Sequence, residues 1–310
     1  MKPVVLIITV LAEPQRAQIE AHYTVVYAPT PAERQQAIAG RGAEIDAVLT
    51  IGTVGLTAAE IDAMPRLSLV CTLGVGYEKV QTEHARTRGI ALANGAGTNA
   101  DVVADQAFAL LLAAVRKVPQ NDRAARDGTD RDSLPMLPQL AWKRLGIMGL
   151  GAIGNKIARR GRGFDMEVGY FSRTRRDESP YTYFGSLVEL AAWCDVLVVA
   201  APGGAATHHA VDADILRAIG SAGYLVNISR GSVVDTEALA AALQAGEIAG
   251  AGLDVYESEP RPPLPLVGLD QVVISPHIGG RSPEAVQNTI DRFLANAGGH
   301  FSGRGVVSAI

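Results

Sequence analysis

Three short segments late in the chain carry side chains suited to anion and proton chemistry. Arg230 lies in Asn227-Ile228-Ser229-Arg230-Gly231, Glu259 in Leu253-Asp254-Val255-Tyr256-Glu257-Ser258-Glu259-Pro260, and His277 in Ser275-Pro276-His277-Ile278-Gly279-Gly280. Each segment follows an apolar run that reads as a strand, so the three side chains stand at successive strand ends, where open α/β sheets bind ligands. A guanidinium, a carboxylate and an imidazole gathered in one crevice can hold an anion, polarise a carbonyl and deliver a proton, the needs of a carbonyl reduction. Taken alone, His277 is equally compatible with a satisfied structural histidine; the company of Arg230 and Glu259 turns the reading toward chemistry. His208 and His209 lack such company and read as structural or exposed, although the adjacent Thr207 is placed to approach a cofactor. No metal site is expected.

Reduction also needs a hydride donor, and Gly149-Leu150-Gly151-Ala152-Ile153-Gly154 supplies a place for one. An apolar strand precedes this GxGxxG and a helical run follows it, the context that separates a dinucleotide fingerprint from chance in a chain with 33 glycines. Gly149 would permit the tight turn, Gly151 would let the backbone approach a pyrophosphate, and Gly154 would let helix and strand pack closely, with the helix N-terminus toward the phosphates. The end of the next strand reads Tyr170-Phe171-Ser172-Arg173-Thr174-Arg175-Arg176, without the acid that would bond a ribose 2′-hydroxyl. Ser172, Thr174 and above all the forked guanidinium of Arg173 suit a 2′-phosphate, with Arg175 or Arg176 auxiliary, so NADPH is the preferred cofactor and NAD a possible one. A solvated basic turn is the plainer alternative.

The elements that must position these groups alternate short β-branched runs with Ala-rich helical stretches, which predicts parallel sheets covered by helices. The alternation occurs twice. The first set of strands is Val4 to Thr9, Thr24 to Tyr27, Ala47 to Leu49, Leu69 to Cys71 and Ile90 to Ala93; the second is Leu145 to Met148, Val168 to Phe171, Val196 to Ala200, Tyr224 to Ile228, Ala251 to Asp254 and Val272 to Ile274. Between them Asp101 to Val118 predicts a long helix whose nearly all-round apolarity suggests burial between domains or subunits. The polar stretch Gln120 to Gln139, with prolines at 119, 135 and 138, reads as a loop.

Composition narrows the class. The chain has 310 residues, 48% hydrophobic and 19% charged, enough for two compact domains with buried cores. A net charge of -4 leaves no basic surplus for a nucleic-acid partner. Cys71 and Cys194 lie in apolar runs and read as buried free thiols, which points to a reducing, cytoplasmic setting. Lys2 and the apolar run after it loosely imitate a secretory leader, but a buried first strand accounts for them better. No run approaches the roughly 18 apolar residues of a membrane span.

Taken in order, GLGAIG, NISRG, GLDVYESEP and SPHIGG resemble the D-isomer-specific 2-hydroxyacid dehydrogenase family over nearly the whole chain; YFSRTRR, YTYFGSLVELA and LVVAAP look like its glyoxylate/hydroxypyruvate and hydroxyphenylpyruvate reductase branch. The resemblance implies a two-domain α/β architecture: a flavodoxin-like substrate domain (1–98 and 285–310) around an inserted Rossmann cofactor domain (99–284), with a helix from Pro283 to Asn296 returning the chain to the first. It implies that Arg230 binds the substrate carboxylate and C2 oxygen, that His277 protonates that oxygen, and that Glu259 holds His277 in its charged form. Glu257 does not match the motif and is expected at the surface. By the same resemblance Thr98, Ala201, Thr207, Ile228, Asp254 and Gly279 line the cofactor, and backbone N–H groups of the loop Leu73-Gly74-Val75-Gly76 take the substrate carboxylate, turn formation being the plainer role. The segment Leu140 to Leu145 lacks the Gly-Lys pair many relatives carry. Arg281 is an extra cation beside the His277 loop, read evenly as a second anion contact or a surface salt bridge. The expected partners are a small 2-oxo acid and a second copy of the chain. Alternatives are an aromatic pyruvate or phosphoglycerate as substrate, the latter disfavoured by length, and a nucleotide-sensing corepressor that retains the motifs without turnover.

Overall fold

The computed structural model describes residues 2–310, and the chain forms two compact units, one from the residues up to Asn99 with Arg281–Ile310 and one from Ala100–Gly280. In the first unit β1 (Val4–Ile7), β2 (Thr24–Tyr27), β3 (Ala47–Thr50), β4 (Leu69–Thr72) and β5 (Ala91–Ala93) form a parallel sheet in the order β2-β1-β3-β4-β5, the flavodoxin-like order. Strands covered on both faces must be apolar throughout, and VVLI, AVLT and LVCT are buried at every position. The apolar run after Lys2 is therefore the first strand of a core.

Helices α1 (Glu13–His22), α2 (Pro31–Arg41), α3 (Ala58–Asp62) and α4 (Thr82–Thr87) cover this sheet. Thr30 with Glu33 and Thr57 with Glu60 form capping boxes that start α2 and α3 by satisfying otherwise orphaned N–H groups. After the second unit the chain returns as a long helix, Pro283–Phe301, which buries Ile290, Phe293 and Ala297 and packs on α1 and β4. Asn296, only 1% exposed, accepts from the N–H groups of Val307 and Ser308 at 2.8 and 3.0 Å and so fastens the C-terminal tail.

The second unit holds β6 (Arg144–Met148), β7 (Glu167–Phe171), β8 (Thr182–Phe184), β9 (Val196–Val199), β10 (Tyr224–Asn227), β11 (Gly250–Leu253) and β12 (Val272–Ile274). All pair in parallel in the order β8-β7-β6-β9-β10-β11-β12, a Rossmann sheet extended by one strand, with its switch point between β6 and β9. Its helices are α5 (Ala100–Val115), α6 (Val118–Arg126), α7 (Ala152–Gly163), α8 (Leu187–Trp193), α9 (Ala213–Ile219) and α10 (Thr236–Gln244); the C-terminal helix Pro283–Phe301 is α11.

Helix α5 packs its apolar face inside its own unit, against α7, β10 and β11. Glycine in β11 allows this approach: a Cβ on Gly252 would stand 2.9 Å from Leu110 Cβ. One expectation changes: the stretch expected as a loop from Gln120 begins as helix α6. Lys117 takes the left-handed conformation (φ 46°) and separates α6 from α5, Pro119 occupies the first turn where a missing N–H is harmless, and Asp122 pairs with Arg126 one turn on at 2.9 Å.

Candidate active site

In the second unit the strand-end loops bring His277, Glu259 and Arg230 into one electrostatic neighbourhood. Nδ1 of His277 lies 2.7 Å from Oε2 of Glu259, whose other oxygen accepts the Tyr256 N–H at 2.8 Å. The carboxylate is thereby fixed in orientation. Its hydrogen bond raises the His277 pKa above 6.5, against burial and the positive charge of Arg230, which act to lower it. Burial pushes the Glu259 carboxyl up, but the bonds from His277 and Tyr256 outweigh it and hold the group below its ordinary value. Arg230 follows β10, with Nη1 donating to the Ser229 carbonyl at 2.7 Å. An imidazole so placed, tethered on one nitrogen and partly open on the other, has the geometry to donate a proton.

His277 itself is left-handed (φ 54°), a strained conformation for a residue with a Cβ, and the surrounding bonds hold it there. Its N–H donates to the Asp254 carbonyl at 2.8 Å, while the buried Asp254 carboxylate accepts from the N–H groups of Ile278 and Gly279 at 3.1 and 2.8 Å and from the Ser275 hydroxyl. Gln106 on α5 donates to Ser275 Oγ at 2.8 Å and sits against Gly279, where a Cβ would come within 3.2 Å of its side chain. Sequence reasoning missed Gln106 and Ser275. A polar residue on the apolar face that holds Val103, Ala107 and Leu110 was the available signal.

The fingerprint loop has the geometry that a dinucleotide requires. Gly149 is at φ 101° with a Cβ position 2.7 Å from the Ala201 nitrogen, and a Cβ on Gly154 would stand 2.1 Å from the Gly149 carbonyl oxygen. Over Gly151 the same test meets nothing within 4 Å, so backbone is open to a ligand there. Helix α7 starts immediately beyond it with no capping side chain and no acid in its first turn, leaving the N–H groups of Ala152 and Ile153 for an anion. Leu150 and Ile228 are buried beneath. Beyond β7 the Ser172 hydroxyl donates to the Thr174 carbonyl at 2.7 Å, and the Tyr170 hydroxyl accepts from the Arg176 N–H at 2.8 Å, so the turn is pinned from below. Arg173 is exposed and makes no ion pair among the described residues. The residues present therefore fit a dinucleotide. Thr207 donates its hydroxyl to the Pro202 carbonyl at 2.8 Å, shaping the loop after β9.

In the first unit Leu73–Gly76 follows β4, held by Asn94 Nδ2 on the Val75 carbonyl at 2.9 Å and by the Gly95 N–H on the Gly74 carbonyl at 2.9 Å. The N–H groups of Gly74, Val75 and Gly76 donate to nothing among the described residues. Thr98 is buried, its hydroxyl on the Gly95 carbonyl at 2.7 Å. Arg281 is exposed and forms no salt bridge among the described residues. Glu257 is exposed, as expected of a surface acid, and is bonded to His209 at 2.7 Å and to the Thr236 N–H at 3.1 Å.

Comparison with known proteins agrees with this geometry. Residues 108–279 match the family model for the D-isomer specific 2-hydroxyacid dehydrogenase NAD binding domain. The chain is 38% identical to the hydroxyphenylpyruvate reductase of Plectranthus scutellarioides, over 92% of its own length and 91% of that protein. It is 34% identical to glyoxylate/hydroxypyruvate reductase A of Arabidopsis thaliana over 94% of both chains. A solved NADPH-dependent glyoxylate/hydroxypyruvate reductase from Sinorhizobium meliloti, in complex with NADP and malonate, superposes with a TM-score of 0.87 at 33% identity, covering 100% of this chain and 97% of that one. The chain belongs to the D-isomer-specific 2-hydroxyacid dehydrogenase family, an NAD(P)-dependent oxidoreductase family of small 2-oxo and 2-hydroxy acids.

Proposed function

We propose that this enzyme reduces a small 2-oxo acid such as glyoxylate or hydroxypyruvate to the D-2-hydroxy acid, with NADPH preferred over NADH. The observation that carries the reading is the His277–Glu259 pair at 2.7 Å with the Arg230 charge acting on both. The Gly149–Gly154 loop and the first turn of α7 would hold the pyrophosphate, Arg173 with Ser172 and Thr174 the 2′-phosphate, and Thr98, Ala201, Thr207, Ile228, Asp254 and Gly279 the rest of the dinucleotide. When bound, the reduced nicotinamide supplies the hydride. Arg230 holds the carboxylate and polarises the C2 carbonyl, His277 gives its proton to the C2 oxygen as charge develops there, and Glu259 keeps that proton in place beforehand. The free N–H groups of Gly74, Val75 and Gly76, next to Leu73, take the substrate carboxylate. Arg281, without a salt-bridge partner among the described residues, meets a further anionic group of larger acids.

Residues 1–98 and 285–310 serve as the substrate domain and 99–284 as the cofactor domain. An aromatic pyruvate is a second substrate class, favoured by the identity to the hydroxyphenylpyruvate reductase. The protein acts in the cytoplasm as a homodimer; fully exposed Met136 and largely exposed Trp142 support the second point, which sedimentation as a monomer would refute. A panel of 2-oxo acids with both cofactors and product chirality tests the whole. His277→Ala should lose turnover by roughly 100- to 10,000-fold while still binding cofactor, and normal activity in that variant removes the proposal. Arg281→Ala in the same panel should lose efficiency on hydroxypyruvate or an aromatic pyruvate but not on glyoxylate; no loss on any removes Arg281 from the site.

A further inference from the structure

We infer that His208, His209 and Glu257 form a binding site for a divalent transition-metal ion, with zinc the best match, outside the proposed catalytic set. The three residues come from distant segments: the two histidines from the turn after β9, and Glu257 from the loop after β11. One ligand atom from each lies within 4.8 Å of the others. Tetrahedral zinc with bonds of about 2.0–2.1 Å wants neighbouring donor atoms about 3.4 Å apart. The His209 Nε2 to Glu257 Oε1 hydrogen bond at 2.7 Å would open by about 0.7 Å to admit the ion, and the closure falls to His208, which is exposed and makes no hydrogen bond among the described residues. The two rings lie face to face with centroids 4.0 Å apart, which places two imidazoles beside one carboxylate.

The groups behind the ligands are also in place. Asp235, the N-cap of α10, gives Oδ1 to the Ala238 N–H at 3.0 Å and leaves Oδ2 3.6 Å from the far nitrogen of His209. At 3.6 Å this carboxylate is just outside hydrogen-bond reach, and a small approach on metal binding would let it select the tautomer that presents Nε2. Glu257 accepts the Thr236 N–H on Oε2 at 3.1 Å, which orients Oε1 toward His209. His209 is held in the left-handed region (φ 49°) with its N–H on the Ser232 carbonyl at 2.8 Å, so its ring is delivered by a constrained backbone. Two neutral imidazoles, Glu257 and Asp235 balance a dication. N and O donors without thiolate match zinc better than copper(I), and the two imidazoles exclude magnesium and calcium as the preferred ion. Glu257 stands two residues before Glu259, so an ion here ties the loop that carries Glu259 to the turn at Thr207.

The test uses untagged protein freed of metal by dialysis, titrated with zinc in competition with a chromophoric chelator and with cobalt(II) as an absorbing probe. One equivalent should bind per chain, cobalt should show the intense visible bands of low coordination, and zinc should raise the thermal midpoint. His208→Ala and Glu257→Gln should each weaken binding at least 10-fold and abolish the thermal shift, Asp235→Asn should weaken it about 10-fold, and His84→Ala should change nothing. Because His208 makes no hydrogen bond or ion pair among the described residues, a well-folded His208→Ala that still binds with unchanged affinity overturns the assignment. Absence of stoichiometric binding in the wild type overturns it as well.

Discussion

Glu259 sets when His277 carries a proton, and the consequence is a pH profile. The proposed reduction uses the protonated imidazole, whose pKa is raised, so kcat/KM should hold through neutrality and fall as pH rises through that elevated value. In Glu259→Gln the raising contact is gone while burial and Arg230 still press downward, so the fall should move to lower pH and activity above neutrality should drop at least 10-fold; an unmoved profile contradicts the role given to Glu259. In the proposed reading Arg173 governs cofactor choice. Arg173→Gln should cut the NADPH-to-NADH ratio of efficiencies roughly 10- to 100-fold, the worth of one charge-assisted hydrogen bond, and a native clear preference for NADH would contradict the assignment. The meeting of Arg230, Glu259 and His277 was legible because their motifs sit at strand ends. The buttress of Gln106, Ser275 and Asp254 was not, since hydrogen bonds between α5 and a loop some 170 positions later leave no periodic trace; nor was the Tyr170 pin, which looks like any strand aromatic.

At the scale of elements, legibility followed burial. Central strands such as Val196–Val199 are apolar at every position and were read with nearly their true bounds, whereas β8, with a half-exposed Thr-Tyr-Phe, gives no apolar run to see. Helix α6 was hidden by Pro119, a residue that both breaks and starts helices. The join of β6, the glycine loop and α7 tolerates little added volume. A methyl group on Gly154 would meet backbone rather than a yielding side chain, so Gly154→Ala should cost about 1–3 kcal/mol in urea unfolding and weaken cofactor binding together; a stable variant with native affinity would contradict this packing.

For the whole molecule, two domains and two sheets followed from the doubled alternation of strands and helices, while the return of α11 to the first unit came through family resemblance, because an apolar helix does not say which sheet it covers. Each unit also encloses one thiol. Cys71 belongs to the first and Cys194 to the second, and burial pushes the former's pKa up strongly and the latter's up to about 12. Both should resist a maleimide in the native state and react in denaturant, and prompt native labelling at either would contradict their enclosure. Since reaction must wait for the surroundings to open, peptide-resolved labelling gives the chain a pair of internal clocks. Run with and without nucleotide or zinc, they would report which half a ligand steadies, with no engineered reporter.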